Sequence, residues 1–160
     1  MAKKETKTNA MRILETLKIE YEPFTYECDE FIDGLDIADK LKIPYEIVFK
    51  TLVTVGKSGE HFVFVIPVDK EIDLKKAARS VGEKSLEMLP LKDLTKVTGY
   101  VRGGCTAVGM KKQFVTVIQE DAILQDKIYV SGGRVGLQIL INPLDLKTAS
   151  NAEFADIIAQ

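Results

Sequence analysis

The sequence predicts an α+β fold in one domain, residues 1–160, with a mixed, partly closed, barrel-like β-sheet and helices around it. Three observations predict it. The chain has 160 residues, enough to bury a real core, and no Pro/Gly/Ser-rich linker or low-complexity stretch divides it. Helical spacing and β-branched, strand-like runs both occur along it. Their order lacks a regular βαβ rhythm, which argues against a parallel α/β sheet.

The elements follow in order. Ala10, Ile13, Leu14 and Leu17 have helical spacing, with Thr8 or Asn9 as the cap. Tyr21 to Tyr26 reads as a short strand. "LDIADKLKI", residues 35–43, reads as a helix that ends before Pro44. "VFKTLVTVG", residues 48–56, and "HFVFVIPV", residues 61–68, flank a Ser58-Gly59 turn signal and predict a hairpin. Asp73 is placed to cap a helix through Ser80, with Gly82 past its end. Leu91, Leu94 and Val97 mark another short helix closed by Gly99. Phe114 to Ile118, Lys127 to Val130 and Leu137 to Ile141 read as strands. Asn142-Pro143 has the form of an N-cap followed by proline at the first helical position. A last helix is expected from Ala152 to Ile158.

Composition narrows the function. Hydrophobic residues make up 46% and charged residues 29%, an ordinary globular balance. No apolar run is long enough to span a bilayer, and the polar start "MAKKETKTNAMRIL" lacks a secretory signal. The expectation is a cytoplasmic protein with no membrane partner. A net charge of −2 argues against a protein that grips long nucleic acid. Local basic patches exist at Lys75, Lys76 and Arg79, and at Arg102, Lys111, Lys112 and Arg134. Taken alone, each reads as solvated surface.

Many kinds of chemistry lack their parts. The single histidine, His61, opens an apolar strand and reads as a structural or rim residue. It is too little for a His-rich zinc site. Cys28 and Cys105 form no CxxC and are expected to be reduced, buried and not catalytic. The acidic cluster Asp29, Glu30, Asp33 and Asp36 lacks calcium-loop spacing and reads as a loop and helix start. No Walker A, GxGxxG or nucleophile-elbow pattern occurs. No metal and no cofactor are expected.

Two features remain. "YVRGG", residues 100–104, and "YVSGG", residues 129–133, repeat one pattern, each followed by a further glycine. Glycine is costly to order, so such loops are either tight turns or places where backbone approaches a ligand. Successive N–H groups there would bind an anion or a carbonyl oxygen. Lys50 sits in the strand-like "VFKTLV", where a lysine either snorkels to the rim or faces a pocket.

"VFKTLV", "LKKAARSVG", "TGYVRGGCTAVGMKK" and "IYVSGGRVGLQI", in this order and spacing, resemble the YbaK/EbsC family. The resemblance covers nearly the whole chain. The family's members are Cys-tRNA(Pro) deacylases, related to the editing domain inserted in bacterial prolyl-tRNA synthetases. It implies hydrolytic clearance of mischarged Cys-tRNA(Pro), and of Cys-tRNA(Cys), by a site separate from the synthetase. Binding alone discriminates cysteine from proline poorly, so a second site removes the error.

Carried over to this chain, the family's essential lysine falls on Lys50 and its neighbouring threonine on Thr51. The glycine loop that contacts the aminoacyl ester falls on Gly103 and Gly104. The serine before the second glycine pair falls on Ser131, with Gly132 and Gly133 beside it. A tyrosine of the family's first strand matches Tyr26. Lys111, Lys112 and Arg134 would meet the acceptor stem. The implied partners are the acceptor end of mischarged tRNA and prolyl-tRNA synthetase. The implied mechanism has the cysteinyl thiol attack its own ester to give a thiolactone, with bound water as the competing nucleophile. The chain departs from the family at Thr106-Ala107, where relatives often carry Ser-Pro, and at Gly132, where many carry Ala. These changes bear on pocket selectivity, so editing of another mischarged tRNA such as Ala-tRNA(Pro) stays open. So does a non-catalytic tRNA- or synthetase-binding module.

Overall fold

The first helix is set by Thr8. The structure is a computed structural model that describes residues 7–27 and 33–160, so Cys28, Asp29 and Glu30 lie outside the described residues. Helix α1 (Asn9–Thr16) has Thr8 as its N-cap, and the hydroxyl accepts from the Met11 N–H at 3.2 Å. The same hydroxyl donates to the Gly132 carbonyl at 2.6 Å, which ties the helix start to the second glycine loop. Strand β1 (Glu22–Thr25) follows. Helix α2 (Gly34–Leu41) is capped by the Asp33 side chain and ends at Lys42 in the left-handed region, two residues before Pro44.

Strands β2 (Phe49–Gly56) and β3 (His61–Pro67) form the expected antiparallel hairpin around Ser58-Gly59. Asp73 caps α3 (Leu74–Val81) by accepting from the Lys75 and Lys76 N–H groups, and Gly82 closes it. Strand β4 (Leu86–Met88) was not foreseen; a short 3-10 turn and α4 (Leu94–Thr98), closed by Gly99, come next. Strands β5 (Val115–Gln119), β6 (Ile128–Ser131) and β7 (Leu137–Ile141) precede α5 (Pro143–Ser150). Asn142 caps α5 by accepting from the Leu144 N–H at 2.8 Å, with Pro143 at the first turn.

The last expected helix does not form. Residues 153–155 are strand β8 (Glu153–Ala155), parallel to β5 through Val117↔Glu153 and Gln119↔Ala155. Beyond it, the Ile157 N–H donates to Gln119 Oε1 at 2.7 Å, and the Ile157 carbonyl accepts from the Asp73 N–H at 2.8 Å. These long-range partners outweigh a local helical preference.

The strands make two sheets, β1-β7-β6 and β4-β2-β3-β5-β8. The fold is α+β, as expected, but barrel-like closure is not observed. Among the described residues, the bridge Val48↔Tyr129 is the ladder contact between the sheets. β4 pairs only with Thr54, Val55 and Gly56, so it stops short of the first half of β2. Closure requires paired strands around the whole circuit, and these edges are too short to supply it.

Alternation assigns the two faces of β3. Val63 and Val65 join Val53, Val130, Leu137, Ile139 and Leu14 of α1 in the larger core. Phe62, Phe64 and Ile66 pack with Ala77 and Ala78 of α3 on the opposite face. Gln119 anchors the C-terminal segment while 1% exposed. Gln119→Leu is expected to cost about 1–3 kcal/mol in urea unfolding, because it orphans a buried N–H. An unchanged midpoint would contradict the anchoring role.

Candidate active site

Because β4 covers only residues 54–56 of β2, residues 49–52 present an edge that β4 leaves uncovered. A cavity of about 360 Å³ opens along this stretch. β2 supplies Phe49, Lys50, Thr51 and Leu52 to its wall, and the start of α2 supplies Asp33, Gly34 and Ile37. Arg102, Gly103 and Cys105 come from the first glycine loop, Ser131 from the end of β6 and Gln138 from β7.

Lys50 is half-buried and sits opposite Ile66 on β3. Its ammonium donates to the Val68 carbonyl at 3.4 Å, a long contact. Of the two positions open to a lysine in such a strand, it occupies the pocket wall.

The paired glycines have a structural purpose. Gly103 has φ +85°, and the Gly104 N–H donates to the Val101 carbonyl at 2.9 Å, which closes a tight turn. A Cβ on Gly104 would lie 2.7 Å from Arg134 Cα and 2.8 Å from its carbonyl carbon. The two loops therefore pack backbone on backbone. The Gly132 N–H donates to the Leu137 carbonyl at 2.9 Å, and the Gly133 N–H to Ser131 Oγ at 3.2 Å. The amides of Gly104, Gly132 and Gly133 are thus engaged within the loops, and among these four glycines Gly103 lines the cavity. The expectation of amides presented to a ligand narrows to Gly103.

The other expected residues lie outside the described lining. The Tyr26 N–H donates to the Gly136 carbonyl at 3.0 Å, beside the second loop. Arg134 packs its backbone on Gly104, and the Lys111 ammonium donates to the Lys96 carbonyl at 3.2 Å. Lys112 is exposed. His61 stands edge-on to Phe114, with ring centres 5.7 Å apart. Lys76 bonds Asp156 at 3.0 Å and the Ile158 carbonyl at 2.9 Å, so that charge fastens the C-terminal segment.

Sequence reasoning missed Gln138 and the places of Asp33 and Cys105 in the wall. The one available signal for Gln138 was an amide interrupting the apolar run "LQILI". Asp33 Oδ1 accepts from the Asp36 N–H at 2.9 Å, so its carboxylate both caps α2 and borders the cavity.

The matching family model, described as an aminoacyl-tRNA editing domain, spans residues 35–149. A protein of Enterococcus faecalis, EbsC, to which Cys-tRNA(Pro)/Cys-tRNA(Cys) deacylase activity is ascribed, is 46% identical over 98% of both chains. This chain belongs to the aminoacyl-tRNA editing domain family.

A proline–tRNA ligase of Fervidobacterium nodosum is 31% identical over 98 residues, 61% of this chain and 17% of the ligase. Among solved structures, one to which trans-editing for prolyl tRNA synthetase is ascribed has a TM-score of 0.81 at 21% identity, covering 98% of this chain and 100% of its own. A hypothetical protein gives 0.86 at 20% identity, covering 94% and 99%. These structural likenesses show a shared fold. The family segment runs from α2 through most of α5 and holds Lys50, both glycine loops and Gln138.

Cys105 is a free, buried thiol, and burial pushes its pKa up to about 12, with the hydroxyl of Thr98 opposing the shift. It is protonated at neutral pH and is no nucleophile there. A raised folded-state value means that stability is intact below the ordinary thiol value of 9.0 and falls as pH rises toward 12. In a Cys28→Ser background, native Cys105 is expected to alkylate with iodoacetamide far more slowly than in urea at pH 8. Equal rates would show an accessible thiolate.

Proposed function

We propose that this chain is a trans-editing aminoacyl-tRNA deacylase that clears cysteine from mischarged tRNA(Pro), with Cys-tRNA(Cys) as a further substrate. The observation that carries the reading is the convergence of Lys50, Thr51, Gly103 and Ser131 on one cavity. The 46% identity to EbsC, over 98% of both chains, supports the assignment of cysteinyl esters. Residues 1–160 act together as one editing domain. The chain works in the cytoplasm, where charged tRNA is used.

The cavity, about 360 Å³, has the capacity for a small aminoacyl group and part of its ribose. Lys50 holds the phosphate or ribose oxygens of the 3′ end, as a positioned charge more than a base. The turn at Gly103 and the Ser131 hydroxyl border the ester. Tyr26, Gly104, Gly132 and Gly133 act from behind, by shaping these loops. Lys111, Lys112 and Arg134 meet the acceptor stem through backbone phosphates, which position without reading sequence. Prolyl-tRNA synthetase is the candidate protein partner.

The nucleophile comes from the substrate. The described lining holds no histidine, and its thiol is held protonated by burial. The cysteinyl sulfur attacks its own ester carbonyl. The new C–S bond closes a thiolactone, the ester C–O bond breaks, and the thiol proton passes to the departing ribose oxygen. Water then opens the thiolactone. Nucleophile and electrophile are already joined, so orientation supplies much of the rate.

Deacylation of Cys-tRNA(Pro), Ala-tRNA(Pro) and Pro-tRNA(Pro) tests the reading. Native protein is expected to release cysteine and spare proline, and Lys50→Ala to lose roughly 100-fold or more in kcat/KM. Release of alanine with cysteine retained would reassign the substrate. Release of neither, with tRNA still bound, would leave a binding module.

A further inference from the structure

Gln138 is 3% exposed, lines the cavity, and its side-chain carbonyl has no hydrogen-bond partner among the described residues. A buried acceptor without a donor is destabilising, so its presence at a cavity wall points to a donor that arrives with a ligand. The fold aims it well. Gln138 lies directly opposite Ser131 on the β6–β7 ladder, so the two side chains share one sheet face. Both reach the same cavity.

The inference rests on the aminoacyl-ester reading of that cavity. The acyl part of a cysteinyl ester offers two donors, the α-ammonium and the thiol. An amide carbonyl accepts most strongly from a charged N–H, and a thiol is a weak donor. Lys50 in the same lining repels a second cation, and the Asp33 carboxylate is already engaged as the cap of α2 by the Asp36 N–H. That leaves the Gln138 carbonyl as the buried acceptor on the wall without a partner among the described residues. We infer that the Gln138 carbonyl receives the α-ammonium of the bound aminoacyl ester. The cavity then selects esters whose amine is free, and rejects N-acylated and peptidyl esters. In them the amine is a neutral amide, and its added carbonyl would press on a wall that supplies an acceptor.

Two non-hydrolysable ligands separate this from a structural role. Both are amides of 3′-amino-3′-deoxyadenosine: one cysteinyl, the other 3-mercaptopropionyl, which lacks only the α-ammonium. Isothermal titration calorimetry is expected to show native protein preferring the cysteinyl amide by about tenfold or more. Gln138→Met should bind the two alike and hold the mercaptopropionyl amide as tightly as native protein does. Gln138→Glu, which keeps an acceptor, should retain the preference. Gln138→Met should also melt no lower than native protein, since it removes an acceptor that has no partner. Equal affinities in native protein, an unchanged preference in Gln138→Met, or a lowered melting temperature would each overturn the inference alone. Failure of native protein to bind either amide would overturn it together with the aminoacyl-ester reading.

Discussion

Much of this site depends on one contact, the backbone of the first glycine loop lying on that of the second. At Gly104 there is no room for a side chain, because Arg134 Cα would lie 2.7 Å from any Cβ. That closeness joins loops that are distant in the chain and belong to different parts of the fold. It holds Gly103 and Ser131 on one cavity whose wall also includes the stretch of β2 carrying Lys50, the start of α2 and Gln138 of β7. The repeated Gly-Gly is therefore first a packing device. Its functional consequence is the place it gives to neighbouring residues. Thr8 extends the same tie to α1 through its bond to the Gly132 carbonyl.

The five-stranded sheet provides the other requirement, an edge left uncovered. β4 pairs with β2 only at residues 54–56. The short β4 that leaves the sheets unclosed also leaves uncovered the stretch of β2 along which the cavity opens.

Legibility followed the range of the interactions. Helix starts at Thr8, Asp73 and Asn142 were readable because a cap is decided within a few residues. The hairpin at Ser58-Gly59 was readable for the same reason. Residues 152–158 were misread as helix because their partners, β5, Gln119 and Asp73, lie far away in sequence. Lys50 stood out as a charge in an apolar strand. Gln138 did not, because nothing local tells a satisfied buried amide from an orphaned one. The glycine loops were visible as loops, yet which amides they keep for themselves depends on turn geometry that composition does not carry.

The central claim is that an aminoacyl end binds between the uncovered stretch of β2 and the joined glycine loops. Titration of ¹⁵N-labelled protein with the cysteinyl amide of 3′-amino-3′-deoxyadenosine tests it directly. The account predicts the largest amide shifts at Lys50, Thr51, Gly103, Ser131 and Gln138, with the groove beside Tyr21 and Asn142 unmoved. Shifts centred on that second groove, with the first set unmoved, would contradict it.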